Sequence, residues 1–252
     1  MPPYTSPILT LLLDSFLGGR SIEQIARDVR RAWFIPNGPI KNLAHYAEKA
    51  GCIIFVADLG KTPIDGLSIN FPDTPPCIFL KKDQPPDRMR LTLAHEIGHL
   101  IMHQVPNNHM ENEAYAFASA LLMPREDIYN YLINIHKDLE QLASLKKYWK
   151  VSMQAIARRA YELGAISEYN YRSIMIQFSS RHWRIQEPVH LDIYSDTPET
   201  INQILNLHRE GLGYSIDELA ELVCMRPDEM KEFFNLLNDE DNKSKPKLRL
   251  IK

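Results

Sequence analysis

Apolar and polar residues follow two different periods along the chain. Between residues 50 and 80, short apolar runs rich in β-branched residues predict three strands, at about 52–56, 65–69 and 77–80. Elsewhere apolar residues recur every three or four positions, which is typical of amphipathic helices. Predicted helices lie at about residues 22–33, 40–49, 88–103, 111–123, 126–136, 138–148, 152–163, 167–179, 198–210, 215–223 and 227–238. Strands are therefore confined to one short stretch of a mostly helical chain.

This arrangement predicts an α+β fold. A small, mostly antiparallel sheet comes first, the helix that starts near residue 88 packs against it, and an all-helical region follows. Pro72, Pro75 and Pro76 separate the last two strands, which favours a hairpin with a wide loop. We expect three regions: a first domain at residues 1–125, a helical region at 126–190, and a C-terminal helical region with a frayed tail at 191–252.

Composition narrows the class of protein. The chain has 252 residues, of which 44% are apolar and 24% are charged, enough for one large or two globular domains. The net charge of −3 argues against a basic coat for nucleic acid. Cys52, Cys77 and Cys224 are far apart in the sequence, so neither a disulfide framework nor a cysteine zinc site is expected. The apolar run at residues 8–13 is too short to span a bilayer, and we expect a cytoplasmic protein without a membrane segment.

The most specific spacing in the chain is an HExxH motif, His95-Glu96-Ile97-Gly98-His99. Four residues advance an α-helix by about 400°, so both imidazoles lie on one face, one turn apart, and can bind one metal ion. Glu96 is offset from that face, and its carboxylate can accept a proton from a water that the metal activates. The motif therefore predicts a zinc site at His95 and His99, with Glu96 as the catalytic base.

A catalytic zinc site needs a third protein ligand, and the sequence offers four candidates. His103 lies two turns beyond His95, about 12 Å along a straight helix, which is too far to share its ion. His109 falls in a polar loop, where a solvated side chain is the more common state. Glu111 and Glu113 begin the next predicted helix, and Glu113 shares a face with the apolar residues that should pack on the motif helix. Helix phase therefore favours Glu113 over Glu111, with His103 and His109 as further alternatives.

Several motifs match those of one protein family, most densely over residues 25–125. They are Arg31-Ala-Trp33, Pro36-Asn-Gly-Pro-Ile40, Asp65-Gly66, Ile78-Phe-Leu80, Arg88, Arg90-Leu-Thr-Leu-Ala-His-Glu-Ile-Gly-His-Leu100 and Glu111-x-Glu-Ala-x-x-Phe-Ala-x-x-Leu-Leu-Met-Pro124. In these motifs the chain resembles the ImmA/IrrE family of metallopeptidases.

The resemblance implies a zincin-like, gluzincin-type peptidase domain that binds Zn²⁺ through His95, His99 and Glu113. It also implies a protein substrate, because members typically cleave or otherwise inactivate a helix-turn-helix repressor or an antitoxin-type partner. Two features depart from the family pattern. Tyr115 stands where members often carry Asn or Asp, and the residues before Ser21 are too few for the N-terminal helix-turn-helix module of many members.

Three segments outside these motifs have other possible roles. Segment 149–169 predicts paired short helices with a basic face that includes Arg158 and Arg159, which form either a helix-turn-helix that contacts DNA or, more commonly, a bundle that supports the site. Segment 215–231 is turn-like but acidic, which favours a partner-binding hairpin over DNA contact. The basic tail at 243–252 is expected to be solvated.

Two functions from different classes follow from these features. The first is a zinc endopeptidase, with an extended substrate segment added as a strand at the sheet edge formed by Cys77–Lys81. In that enzyme Tyr115, Tyr129 or Tyr131 is a candidate donor to the oxyanion, although packing is the more usual role of each. The second is a toxin or regulator that binds its partner, or DNA, without cleaving it. The intact HExxH motif favours the first, because a pure binding protein needs no general base.

Overall fold

The structure, a computed structural model, describes residues 19–71, 73–103, 105–135, 139–188, 191, 193–234 and 236. The elements within these ranges are α1 (Ile22–Ala32), α2 (Leu43–Lys49), β1 (Ile53–Ala57), β2 (Gly66–Ile69), β3 (Cys77–Lys81), α3 (Pro86–Met102), α4 (Met110–Leu122), α5 (Arg125–Leu132), α6 (Leu139–Trp149), α7 (Met153–Glu162), α8 (Glu168–Ser180), α9 (Thr200–Asn206), a π-helical turn (Leu207–Gly211), α10 (Ile216–Leu222) and α11 (Pro227–Phe233). No helix in these ranges is long and apolar enough to cross a membrane. The predicted α+β class is confirmed, and each predicted strand and helix has a counterpart near the predicted residues.

The three strands form a small sheet in the order β1-β3-β2. β1 runs parallel to β3, with Ile53 opposite Cys77, and β2 runs antiparallel to β3, with Gly66 opposite Leu80. One of the two pairings is thus parallel, and the sheet is mixed rather than mostly antiparallel. The difference arises because the chain places β2 beyond the position that β3 later fills. β3 is therefore the central strand, and β1 and β2 are the edges.

The S-x-x-E/Q form of Ser21-Ile22-Glu23-Gln24 predicts a capping box at the start of α1, and the structure confirms it. The Gln24 backbone N–H donates to the Ser21 hydroxyl, and the Ser21 backbone N–H donates to the Gln24 side chain at 2.8 Å, which completes the predicted capping box. Arg30, near the end of the helix, is buried and donates to the carbonyl oxygen of Leu121 at 2.7 Å. This contact ties α1 to the end of α4.

Helix α3, which carries the HExxH motif, packs between the sheet and α4 in the main hydrophobic core. Leu93 and Ile97 are buried on its apolar side. At Gly98 the two helices approach so closely that a Cβ atom would lie 2.9 Å from the ring of Phe117. Glycine therefore lets α4 approach α3 beside the two motif histidines.

Buried ion pairs connect the N-terminal half of α3 to later parts of the chain. Lys146 of α6 donates to Asp87 at 2.6 Å and to Glu187 at 2.8 Å. Arg90 donates to both carboxylate oxygens of Asp196, at 2.7 and 2.6 Å. All five side chains are buried, so each charge needs its partner to offset the cost of removing it from water. These contacts favour the interpretation of the helices after residue 125 as a bundle that supports the site.

The described residues divide into two compact units, one up to Pro198 and one from Glu199 onward. The first contains the sheet and helices α1–α8. The second contains α9–α11 and has a small core of its own. That core consists of Leu205, Leu219, Ala220 and Met230. The three-region division expected from the sequence stays a prediction, and the basic tail at 243–252 lies outside the described residues.

Candidate metal centre

His95 and His99 converge on one point of the cleft beside α3. Their Nε2 atoms are 2.9 Å apart, and the two rings are nearly perpendicular, with centroids 4.6 Å apart. Both residues lie within one regular helix, so the single turn between them brings the two rings together. The sequence prediction that both imidazoles share one face is confirmed.

Glu111, in the first turn of α4, brings a carboxylate to both imidazoles. Its two oxygens lie 3.3 Å from the Nε2 of His95 and 3.4 Å from the Nε2 of His99. Ligand atoms about 2.0–2.1 Å from a tetrahedral zinc ion lie roughly 3.3 Å from one another, so this donor set fits such an ion. Among the described residues, these three form the group of histidine and acidic side chains compact enough to hold one metal. We call His95, His99 and Glu111 the metal trio.

Glu113, the carboxylate that helix phase favoured, lies elsewhere. Its Oε2 atom is 3.0 Å from the Nε2 of His103, one turn further along α3. Two positions on a helix differ by about 200° in direction, so Glu111 and Glu113 cannot face the same point. Helix α4 buries a broad face that includes Ala114 and Ala118 as well as Phe117 and Ala120, so helix phase alone does not separate the two carboxylates. The structure therefore places Glu111, and not Glu113, beside the imidazole pair, and the identity of the third ligand stays a prediction.

The other two candidates for a third ligand do not join the trio. His103 extends along α3 as expected and places its Nδ1 3.0 Å from the Nδ1 of His99, on the side of that ring away from Glu111. His109 is exposed in the loop before α4. His103 is therefore a neighbour of the trio, and His109 is not.

The electrostatics of the trio suit metal binding. Burial, with a smaller contribution from the nearby His99, lowers the pKa of His95 to about 4. Burial also lowers the pKa of His99. Both imidazoles are thus neutral at neutral pH, and a neutral ring offers the lone pair that a metal ligand needs.

Glu96 stands beside the trio and does not join it. Its side chain is buried, and burial raises the pKa of its carboxyl group, while hydrogen bonds from the Ser68 hydroxyl and backbone N–H act in the opposite direction. A buried carboxylate next to a metal trio has the environment that a general base requires. The predicted separation of Glu96 from the two motif histidines is observed.

Strand β2 forms the wall of the cleft opposite α3. A Cβ atom at Gly66 would lie 2.5 Å from the Thr92 side chain and 3.3 Å from a carboxylate oxygen of Glu96, so only glycine allows this approach. The Lys81 backbone N–H donates to the Asp65 carbonyl at 2.9 Å. This bond makes Asp65 and Lys81 a hydrogen-bonded pair. Such pairs alternate with non-hydrogen-bonded pairs along two antiparallel strands, so the backbone groups of Gly66 and Ser68 point away from β3.

This arrangement corrects the sheet edge predicted for substrate binding. The strand Cys77–Lys81 is paired on both sides and has no free edge. The edge beside the HExxH helix is β2, Gly66–Ile69. The sequence could not separate the two strands, because both are short apolar runs and their order in the sheet depends on the crossover.

Three other side chains lie near the site, and of these only Ser68 had no signal in the sequence. Ser68 contacts Glu96 from β2, and His103, the residue after the end of α3, contacts His99. Tyr115 places its ring 4.2 Å from the ring of His95 and is itself 56% exposed. It occupies the position where the resembling family often has Asn or Asp. Tyr115 lines the cleft, whereas Tyr131 contacts Tyr148 and Trp149 instead.

A cleft of about 940 Å³ opens over these groups, bounded by β2, α3 and the start of α4. At its rim Arg88 donates to Asp65 at 2.9 Å. Ile64, Leu67 and Phe71 line the β2 side and are exposed. The cleft is therefore polar at its floor and partly apolar along one wall.

Comparison with known proteins adds one finding about the chain. Residues 47–161 match the model of the Peptidase_M78 family, described as an IrrE N-terminal-like domain. The match covers the sheet, the metal trio and Glu96, and it agrees with the family resemblance of the motifs. No curated protein matches the chain.

Proposed function

We propose that the protein is a zinc-dependent endopeptidase, because residues 47–161 match the model of a peptidase family, the IrrE N-terminal-like domain. In this proposal His95, His99 and Glu111 hold the metal, and Glu96 is the general base. The observation that carries it is the convergence of three neutral or anionic donors at mutual distances of 2.9–3.4 Å beside a buried carboxylate. Two imidazoles and one carboxylate leave one position of a tetrahedral zinc open, as catalytic sites require.

The reaction is hydrolysis of a peptide bond. A bound zinc ion would supply polarisation of the substrate carbonyl and a lowered pKa of the attacking water. Glu96 takes a proton from that water and delivers it to the nitrogen of the leaving amine as the carbon–nitrogen bond breaks. The Ser68 hydroxyl and N–H hold the Glu96 carboxylate at the edge of β2, so the base is positioned before substrate arrives. Tyr115, beside His95, is the candidate donor to the developing oxyanion.

The substrate lies along β2 as an extended segment. The backbone groups of Gly66 point away from β3, which leaves them directed toward the cleft for pairing with another strand. The cleft of about 940 Å³ is large enough for several peptide side chains. The exposed Ile64, Leu67 and Phe71 favour apolar substrate side chains near this wall.

We further propose that the substrate is a cytoplasmic helix-turn-helix repressor or an antitoxin-type partner. This step is supported by the resemblance of the motifs at residues 31–40 and 88–124 to the ImmA/IrrE family. The test is incubation of the purified protein with the product of a neighbouring repressor-like gene. We expect fragments of that product on a gel, no fragments after chelation, and fragments again when zinc is restored. Partner binding with no fragments in any condition would favour the non-proteolytic regulator instead.

A further inference from the structure

A chain of hydrogen bonds leads away from the metal trio through His103 to Glu113. The Nδ1 atoms of His99 and His103 are 3.0 Å apart, and the Nε2 of His103 is 3.0 Å from the Oε2 of Glu113. The His103 side chain is 2% exposed, and that of Glu113 is 40% exposed. These hydrogen bonds thus begin at His99, whose side chain is 13% exposed, and end at a carboxylate that reaches solvent.

With a neutral His103, only one arrangement of protons satisfies both contacts. A carboxylate accepts and cannot donate, so the Nε2 of His103 must carry a proton that it donates to Glu113. The Nδ1 of His103 then has a lone pair and accepts. The Nδ1 of His99 must therefore carry the proton, and its Nε2 is left with a lone pair directed at Glu111 and His95.

We propose that His103 and Glu113 are positioning residues that hold His99 in the Nδ1–H tautomer, with its Nε2 lone pair ready to bind the metal. This inference rests on the proposed function, in which His99 is a metal ligand. Histidine ligands generally donate their second ring N–H to an acceptor that fixes the ring and its tautomer. Here a second histidine carries that interaction to a carboxylate on the neighbouring helix α4.

His95 provides the contrast within the same trio. Its Nδ1 is buried and has no hydrogen-bond partner among the described residues. The Tyr115 ring, at 4.2 Å between centroids, packs against the His95 ring instead. Loss of the hydrogen bonds through His103 should therefore affect His99 and leave His95 in place.

The first test reads the tautomers in the metal-free protein, by nitrogen-15 NMR of the histidine side chains at neutral pH. We expect His99 in the Nδ1–H form in the wild type. Glu113→Ala should release it, so that the Nε2–H form becomes populated, and the signals of His95 should not change. A His103 signal typical of an imidazolium in the wild type, with a protonated Nε2 on His99, would overturn the inference.

The second test measures zinc affinity of the same proteins by competition with a chelator. Glu113→Ala should weaken binding about 10- to 100-fold, the usual effect of losing such an outer partner. Glu113→Gln keeps an acceptor oxygen for His103 and should recover most of that loss. Asn112→Ala, at the exposed neighbouring position, serves as the matched control and should bind as the wild type does. His103→Gln should weaken binding like Glu113→Ala, which guards against an effect particular to one variant.

Each remaining outcome separates the inference from the proposed function. If the wild type binds no zinc, the proposed function fails and the inference fails with it. If Glu111→Gln abolishes binding while Glu113→Ala changes neither affinity nor the His99 tautomer, the metal site stands and the inference is overturned. If Glu113→Ala abolishes binding and Glu111→Gln does not, Glu113 is itself the ligand, and the inference is again overturned.

Discussion

The two halves of helix α3 differ in the partners of their buried polar side chains. In the N-terminal half, Asp87 and Arg90 meet side chains of opposite charge at 2.6–2.7 Å. In the C-terminal half, His95 and His99 bring their Nε2 atoms to 2.9 Å of each other and to a carboxylate at 3.3–3.4 Å. The first half has its charges neutralised within the protein. The second half gathers donors around one point.

This contrast separates a structural from a functional use of the same helix. Buried charges that are fully paired stabilise the fold only as long as the pair is complete. Neutral imidazoles crowded together around a carboxylate have no comparable structural benefit, whereas a metal ion would satisfy all three groups. The N-terminal half therefore acts as the anchor, and the C-terminal half carries the candidate metal centre.

The largest expected effect comes from removing a buried ion pair at the N-terminal half of α3. Lys146→Met leaves the buried carboxylates of Asp87 and Glu187 without their cation and should lower the free energy of unfolding by about 3–5 kcal/mol. Urea denaturation of the metal-free protein measures it. Lys147→Met, at the exposed neighbouring position, is the control and should change stability by no more than about 0.5 kcal/mol. Equal unfolding curves for the two variants would show that this ion network does not hold α3.

The next largest effect concerns the C-terminal half of α3 and is measured by adding zinc. Zinc at about 100 times its dissociation constant should raise the free energy of unfolding by about 2.7 kcal/mol, because it binds only the folded trio. His99→Ala should abolish this increase, since it removes one of the three donors. The exposed His109→Ala should retain it, and an unchanged zinc effect in His99→Ala would place the metal elsewhere.

A smaller effect perturbs the contact between α3 and α4 at the site. In Gly98→Ala the new methyl group would lie 2.9 Å from the Phe117 ring, and such overpacking should cost roughly 1–3 kcal/mol. We also expect weaker zinc binding, because α4 carries Glu111. Adding Phe117→Leu makes room for the methyl group and should restore part of the zinc affinity. No recovery in the double variant would mean that helix separation is not the cause.

The smallest expected effect tests whether burial is the reason that the ion pairs at the N-terminal half of α3 contribute strongly to stability. Arg158 and Glu162 form an exposed ion pair at 2.7 Å within α7. Arg158→Ala should lower stability by only about 0.3–0.5 kcal/mol in urea denaturation. A loss as large as that of Lys146→Met would contradict the distinction between buried and exposed pairs.

Local signals account for what the sequence could predict. The HExxH spacing placed His95 and His99 on one face, and the Ser21 capping box marked the start of α1, because both depend on contacts within one helix. The α+β class followed from the confinement of the apolar strand runs to residues 50–80.

The sequence could not predict how separate helices and strands contact one another. Which of Glu111 and Glu113 lies beside the imidazole pair depends on how α4 is rotated over α3, and the close approach of Gly98 to Phe117 belongs to that packing. The edge strand depends on the crossover that puts β3 in the centre. Neither the rotation nor the crossover leaves a periodic signal in the sequence.

Glu96→Gln tests the central claim most directly, because it keeps the shape of the side chain and removes its ability to accept a proton. The variant should fold, bind zinc as tightly as the wild type and bind the repressor-like partner. Its rate of partner cleavage, measured from the fragments formed over time, should fall about 10²- to 10⁴-fold, the usual contribution of general-base assistance. Cleavage at the wild-type rate by the zinc-loaded variant would contradict the role of Glu96 and the hydrolytic mechanism built on it.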